Sequence, residues 1–294
     1  MSNAETLFCF GFGYTAKALS NTIRLKGWSV RGTTRRKIKQ DVSSDEMFFF
    51  DRNKPLSNPD KALKGMTHLL ISIPPDSIGD PVIDHHKIDL VSQMENLRWV
   101  GYLSTTGVYG DQGGGYVDEN TERNPKSIRS QRRANIEDEW YGLWKHNRLP
   151  VHLFRLSGIY GPGRNTFEVL KKGLKEQVMK QGQVFNRIHI QDIVNTLLAS
   201  MNQPNPGGIY NLSDDEPAST QEVIAYACNL LGKEIPPTVP YEKAKISEMA
   251  KSFYEENKRV KNDLIKQELG VTLAYPNYRL GLQALFNEEN INIT

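Results

Sequence analysis

Only two cysteines occur in the 294 residues, Cys9 in an apolar run and Cys228 in a helical pattern. They are too few and too far apart in sequence for a disulfide framework, so a reducing compartment is expected. No stretch approaches the ~18 consecutive apolar residues of a membrane span, and the opening Met-Ser-Asn-Ala-Glu-Thr carries no apolar signal-peptide region. A cytoplasmic protein with no membrane partner is the expectation. Ser2-Asn3-Ala4 has the character of a cloning remnant and is left out of the fold reasoning. No Cys/His spacing suits zinc. The adjacent His85-His86 diverge by about 100° on a helix, which favours capping or surface roles over a shared ion, and no metal site is expected.

A large excess of one charge is also missing. The formal net charge is +3, and the basic residues gather locally: Arg31, Arg35, Arg36, Lys37 and Lys39; Arg129, Arg132 and Arg133; Lys171, Lys172 and Lys175. These runs are not interleaved with aromatic residues and match no nucleic-acid module. A phosphate-bearing small molecule is therefore preferred as partner over a solvated basic face or nucleic acid. With 38% hydrophobic and 24% charged residues, the chain is ordinary for a globular protein with a substantial core.

Short β-rich runs alternate with helix-length amphipathic segments from residue 6 to about 156. The runs are Thr6 to Phe10, Trp28 to Thr33, Met47 to Phe50, His68 to Ile73, Trp99 to Leu103 and Val151 to Leu156. This alternation predicts an α/β fold, a doubly wound parallel sheet of Rossmann type with helices on both faces. After Gly158 the pattern changes. Gly161-Pro-Gly163 marks a turn, followed by an expected helix from Thr166 to Lys180, a strand from Gln183 to Arg187, a helix from Ile190 to Met201 and a strand from Gly208 to Leu212. The last eighty residues read as helices broken by Pro236-Pro237, Pro240 and Pro276. The expected division is a dinucleotide-binding domain, 5–157 plus 188–213, and a smaller, mostly helical substrate-side domain, 158–187 plus 214–294.

Gly11-Phe-Gly13-Tyr-Thr-Ala16 lies between the first strand and a helix. Gly11 permits a tight turn, Gly13 lets the backbone approach a pyrophosphate, and Ala16 allows close helix-on-strand packing. Phe12, Tyr14 and Thr15 complete this turn and the helix N-terminus, whose N–H donors favour phosphate. The second strand ends in Gly32-Thr-Thr-Arg-Arg36, where an NAD site would carry an acid. An arginine fork suits a phosphomonoester, so NADP is predicted, clamped by Arg35 with Thr34 and Arg36 beside it. Asp41 keeps NAD as the alternative. Asp51 is a candidate for the adenine amino group or a turn cap, and Ser72-Ile73-Pro74-Pro75 lines the next strand end with few backbone donors. Trp99 to Leu103 then runs into Ser104, Thr105 and Thr106, hydroxyls at the carboxyl end of a strand, where an open sheet binds its ligands.

The glycine turn, Tyr102-Leu-Ser-Thr-Thr-Gly-Val-Tyr-Gly110, Phe154-Arg-Leu-Ser-Gly-Ile-Tyr-Gly-Pro-Gly-Arg-Asn165, Arg187-Ile-His-Ile-Gln-Asp192 and Tyr210-Asn-Leu-Ser213 occur in the order found in the extended short-chain dehydrogenases/reductases. The chain resembles the epimerase/dehydratase group of that superfamily over nearly its whole length. The resemblance implies that Thr105 is the catalytic hydroxyl, that Ser104 borders the cofactor, and that the region after Gly158 supplies most of the substrate pocket. The substrate-side candidates are Thr106, Arg155, Tyr160, Asn165, Arg187 and His189. Their arginines suit an anionic substrate such as a nucleotide sugar or a carboxylate. Arg155 could instead form a structural ion pair.

The family's proton donor is a Tyr followed four residues later by a Lys. Matching Ser130-Gln-Arg-Arg-Ala-Asn-Ile-Glu137 to the family's helix puts Arg129 at the Tyr position and Arg133 at the Lys position. Arg133 is implied to bond the nicotinamide ribose, whereas Arg129 stays charged and cannot exchange protons. The literal Tyr141-x-x-x-Lys145 lies 12 residues further on, about 18 Å along the helix, and is assigned to packing beside Trp140 and Trp144. Tyr109 is the candidate substitute acid, with packing of the turn as its other reading. This combination is similar to the atypical YeeZ-like branch. It implies either an NADP-dependent oxidoreductase or epimerase/dehydratase lacking the usual Tyr, or a non-catalytic NAD(P)-binding sensor or scaffold, as monomer or homodimer.

Overall fold

A computed structural model describes residues 5–36 and 46–291. Lys37, Lys39, Asp41 and Ser2-Asn3-Ala4, named above, lie outside the described residues. The chain begins β1 (Thr6–Phe10), α1 (Tyr14–Arg24), β2 (Ser29–Thr34), β3 (Glu46–Phe49), α2 (Pro59–Leu63), β4 (His68–Ile71), α3 (Pro81–Ser92) and β5 (Trp99–Thr105). It continues through β6 (Tyr116–Val117), α4 (Ile128–Asn147), β7 (Val151–Leu156), β8 (Gly158–Tyr160), α5 (Thr166–Lys171), β9 (Gln177–Met179), β10 (Arg187–His189), α6 (Ile190–Asn202) and β11 (Ile209–Leu212). The last part comprises α7 (Thr220–Leu231), β12 (Thr238–Pro240), α8 (Glu248–Tyr254), β13 (Arg259–Val260), α9 (Asp263–Leu269) and α10 (Tyr278–Ile291).

Seven strands form one sheet in the order β11-β7-β5-β4-β1-β2-β3. The pairs β5–β4, β4–β1, β1–β2 and β2–β3 run parallel. This is the expected Rossmann-like α/β fold, and the strand order reverses between β1 and β4, which opens a crevice at their carboxyl ends. Every residue of β1 is buried, as an apolar run covered on both faces should be. Local signals fix the helix ends. Asp80 caps α3, whose first residue is Pro81, and α7 starts with a capping box of Ser219 and Glu222 and ends at Gly232 with φ 62°.

Two expectations beyond Gly158 are corrected. The helix predicted from Thr166 to Lys180 stops at Lys171, because Gly173 takes φ 80° and the chain turns into β9. The strand predicted from Gln183 to Arg187 instead begins at Arg187 and pairs with β8.

The chain divides into two compact units. The first comprises Met1–Thr105, Ile128–Arg155 and Val194–Tyr210, and the second Thr106–Ser127, Leu156–Ile193 and Asn211–Thr294. Residues 106–127, assigned from sequence to the dinucleotide-binding domain, group with the second unit, where β6 pairs with β13. The first unit's core is built on Phe8, Phe10, Phe50, Val100, Tyr102 and Trp140. The second has its own core around Phe167, Ile224, Ala227, Tyr278 and Leu282. No helix among the described residues is long and apolar enough to cross a membrane.

Two imidazoles buried in the first unit make its stability pH-dependent. His68 lies 4.5 Å from the Trp28 ring, and His152 stacks on Trp99 at 5.9 Å while its Nε2 accepts the Asn205 N–H. Burial pushes both from 6.5 down to about 4, against the pull of Glu5 on His68. Between pH 6.5 and 4 the unfolded chain therefore binds more protons than the folded one, and stability falls as the pH drops through that window. The expected loss is on the order of 3 kcal/mol per imidazole at its lower end. Urea unfolding at pH 7.5 and 4.5 checks this: a His152→Gln variant should lose less stability on acidification, and an unchanged slope refutes the assignment.

Candidate functional site: a glycine turn and strand-end hydroxyls

The turn after β1 is built as a close-approach site. Gly11 has φ 88°, and a Cβ there would stand 2.8 Å from Ile73 Cγ1 and 2.9 Å from Ser72 Oγ. The Gly11 N–H donates to Thr33 Oγ1 at 2.8 Å, the Phe12 N–H to the Thr33 carbonyl at 2.9 Å, and the Ser72 hydroxyl to the Gly11 carbonyl. The ends of β1, β2 and β4 are thus tied together. Gly13 caps α1 without a side-chain hydrogen bond, and an added Cβ there would meet nothing within 4 Å. A side chain at Gly13 would thus start in open space, beside the positive end of the helix. This fits a bound pyrophosphate. Tyr14 opens α1, Thr15 is buried beneath it, and the Phe12 ring packs over Gly32. Thr15 thus faces the core and has only its backbone to offer a ligand.

At the end of β2, Thr34 Oγ1 accepts the Arg36 N–H at 3.1 Å, and both Arg35 and Arg36 are exposed. Their neighbour Arg31 is engaged elsewhere, donating to the carbonyls of Ala62 and Lys64 at the end of α2. Asp51 forms a turn with Lys54 and accepts the Asn53 N–H at 2.9 Å, which is its capping alternative. Ile73 and Pro74 follow β4 directly. His85 bonds the Arg52 carbonyl at 2.7 Å, and His86 bridges Asp89 and the Leu56 N–H, so each serves the local fold.

The end of β5 stands on buried charge. Ser104 donates to Glu137 Oε1 at 2.5 Å, and Arg155 Nη2 donates to Glu137 Oε2 at 2.8 Å, with both charged side chains almost fully buried. Arg155 thus makes the structural ion pair named as its alternative reading, and the Ser104 hydroxyl is bonded to Glu137. Glu137 was not singled out from sequence; the signal available was its place on α4, four residues after Arg133. Arg133 donates to the Leu103 carbonyl at 2.6 Å and to Tyr102 OH at 3.3 Å. Its guanidinium is thereby held against the end of β5. Burial raises the Tyr102 phenol, which lies wholly inside the core. Thr105 closes the strand half-buried, and Arg129 is exposed on α4. Tyr141 packs its ring 4.8 Å from Trp144, as assigned.

In the second unit, the Thr106 hydroxyl points to the Leu156 carbonyl at 3.5 Å. Tyr109 is fully buried and donates to Asn211 Oδ1 at 2.8 Å, the geometry of its packing alternative. Asn165 caps α5 by accepting the Glu168 N–H and donates to the Gly161 carbonyl, so it is a local structural residue. Tyr160 and His189 are register partners on β8 and β10, with rings 5.1 Å apart. Arg187, two residues before His189, donates to the Phe185 and Ala218 carbonyls. Burial lowers the His189 imidazole to about 4; its Nδ1 accepts the Gln191 N–H, which leaves the proton on Nε2. No group of three or more potential metal ligands is found among the described residues.

Fold, glycine turn and hydroxyl-ended strand together define a protein of Rossmann-like α/β fold. No family model matches the chain. A conserved protein of unknown function from Silicibacter pomeroyi is 48% identical in its solved structure, with a TM-score of 0.90 over 97% of this chain and 99% of that one. Protein YeeZ of Escherichia coli is 27% identical over 244 residues, 77% of this chain and 84% of YeeZ. The dTDP-glucose 4,6-dehydratase of Bacillus anthracis, solved in complex with NAD, shares the fold with a TM-score of 0.77 at 18% identity, over 99% of this chain and 97% of that one. The chain thus has the fold of dehydratase and epimerase structures.

Proposed function

We propose that the protein is a cytoplasmic NADP-binding oxidoreductase of the epimerase/dehydratase type that acts on an anionic, hydroxyl- or carbonyl-bearing small molecule, with nucleotide sugars as the leading class. The observation that carries this reading is the turn at Gly11 and Gly13: a left-handed residue packed against Ile73 and open space before an uncapped helix. Arg35 and Arg36 would hold the 2′-phosphate of the adenosine ribose as an exposed fork. The nicotinamide, when bound, supplies or accepts the hydride. Thr105 would orient the substrate oxygen, and Arg133, fixed by the Leu103 carbonyl, would offer its remaining N–H groups to the ribose or to negative charge on that oxygen. A proton for that oxygen would have to come from water, because Arg129 is always charged and Tyr109 is buried on Asn211.

That last observation also favours a second reading, a sensor or scaffold that binds the dinucleotide without turnover. Fluorescence titration with NADPH and NADH tests the cofactor. NADPH should bind more tightly, and Arg35→Ala should weaken NADPH by about 10- to 100-fold while sparing NADH. Equal or tighter NADH binding by the unaltered protein refutes the arginine argument. Consumption of NADPH in a panel of carbonyl compounds, lost in Thr105→Ala, separates enzyme from sensor.

A further inference from the structure

The loops that follow β3 and β4 meet, although β1 and β2 lie between those strands in the sheet. The chain leaving β3 crosses toward α3 on aromatic contacts, with the Phe50 ring 5.2 Å from Phe10 and 5.4 Å from His86. Arg52 then closes the crossing. Its Nε and Nη2 donate to the two oxygens of Asp76 at 2.6 and 2.9 Å, its Nη2 also to the Gly79 carbonyl at 2.8 Å, and its Nη1 to Asp84 in the first turn of α3. Both loops that this guanidinium joins are tight turns. Asp51 and Lys54 exchange backbone hydrogen bonds in one, and in the other Asp76 Oδ1 accepts the Ile78 N–H at 2.8 Å and the Gly79 N–H at 3.2 Å. Asp51 Oδ1 accepts the Asn53 N–H, which leaves Oδ2 without a partner among the described residues. The second turn follows Ile73 and Pro74, and Ile73 packs against Gly11.

Asp76 and Asp84 are each 36% exposed, and ion pairs this open to solvent add little to stability. What a forked guanidinium with four bonds does fix is geometry. We propose that Arg52 is a positioning residue for dinucleotide binding: it locks the turn carrying Asp51 to the turn that follows Ile73 and Pro74, and so sets the adenosine end of the crevice before the ligand arrives. This role rests on the dinucleotide reading above and adds the device that shapes its adenosine half. In a doubly wound sheet the adenosine ribose lies at the end of the second strand, and the fork joins the loops on either side of β1 and β2. Without it, Asp51 and Ile73 stand on separate loops, and binding has to order both.

Arg52→Ala and Asp76→Asn test the clamp. Asp76→Asn keeps the oxygen that accepts the Ile78 and Gly79 N–H groups, so the turn itself survives while the charge partner is lost. The probes are ADP-ribose, which carries the adenosine half without the nicotinamide, together with NADPH and NADH, each titrated by calorimetry. Both variants should bind all three about tenfold more weakly than the parent, with the ratio of NADPH to NADH affinity unchanged because Arg35 and Arg36 are untouched. Arg52→Lys, which can hold one carboxylate but cannot fork, should recover part of the loss. In the Asp76→Asn background, Arg52→Ala should weaken binding less than it does in the parent. A clamp that only supports the fold would lower the melting temperature and leave ADP-ribose affinity at the parental value in any variant that stays folded. That result overturns the proposal, as does a loss in Arg52→Ala that is undiminished in the Asp76→Asn background. Failure of the unaltered protein to bind any of the three probes counts against the dinucleotide reading itself, whereas parental affinity in both variants removes only the clamp.

Discussion

Gly11→Ala should destabilise the protein by about 2–4 kcal/mol and abolish dinucleotide binding. Two independent terms add at this position. An L-residue at φ 88° is strained, and the new methyl would sit 2.8 Å from Ile73 Cγ1 and 2.9 Å from the Ser72 hydroxyl that bonds the Gly11 carbonyl. Relief requires the end of β4 to move away from β1, and the open space before α1 changes with it. Gly13→Ala is the informative control: its Cβ meets no protein atom within 4 Å and φ is −92°, so stability should hold while the methyl intrudes on the pyrophosphate. Chemical denaturation and NADPH titration of both variants provide the check. A Gly13→Ala variant that binds NADPH normally would remove the phosphate site from this turn.

Cutting the charge pair beneath β5 should have the largest effect on stability. Glu137→Leu leaves the buried Arg155 guanidinium without its carboxylate and the Ser104 hydroxyl without its acceptor, and a loss of about 3–5 kcal/mol is expected. Arg155→Met should cost a similar amount through the orphaned Glu137. The double variant Glu137→Leu/Arg155→Met removes both charges together, so it should be markedly more stable than the sum of the single losses predicts. Urea unfolding of the four proteins gives the coupling directly, and strict additivity would show that the pair is not the unit on which the strand end rests. A weaker companion effect follows at the site. With Ser104 released, Thr105 next to it loses its fixed orientation, and any Thr105-dependent turnover should fall even in variants that remain folded.

The alternation of buried runs with helix-length segments dictates the sheet, because burial on both faces of a parallel strand leaves an unbroken apolar run such as Leu-Phe-Cys-Phe in β1. The glycine turn is equally local, since the φ of Gly11 and the bare cap at Gly13 depend on residues within one turn of chain. The failure at Lys171 has the same local character: Gly173 sits inside an otherwise helical pattern, and its left-handed backbone ended the helix earlier than the charged run Lys171-Lys172-Gly-Leu-Lys175 suggested.

The fate of the polar candidates is another matter. Ser104 and Glu137 are 33 residues apart, Arg155 and Glu137 18, and Tyr109 and Asn211 102. A hydroxyl or guanidinium looks the same in a sequence whether it faces a ligand or a buried carboxylate, and the cost of leaving a buried group unpaired selects its partner only once distant segments meet. Folding gives Ser104, Arg155, Tyr109 and Asn165 partners within the protein that the sequence does not show. Composition, periodicity and the glycine turn specify a Rossmann-like fold; long-range packing decides which of its polar side chains the protein itself engages.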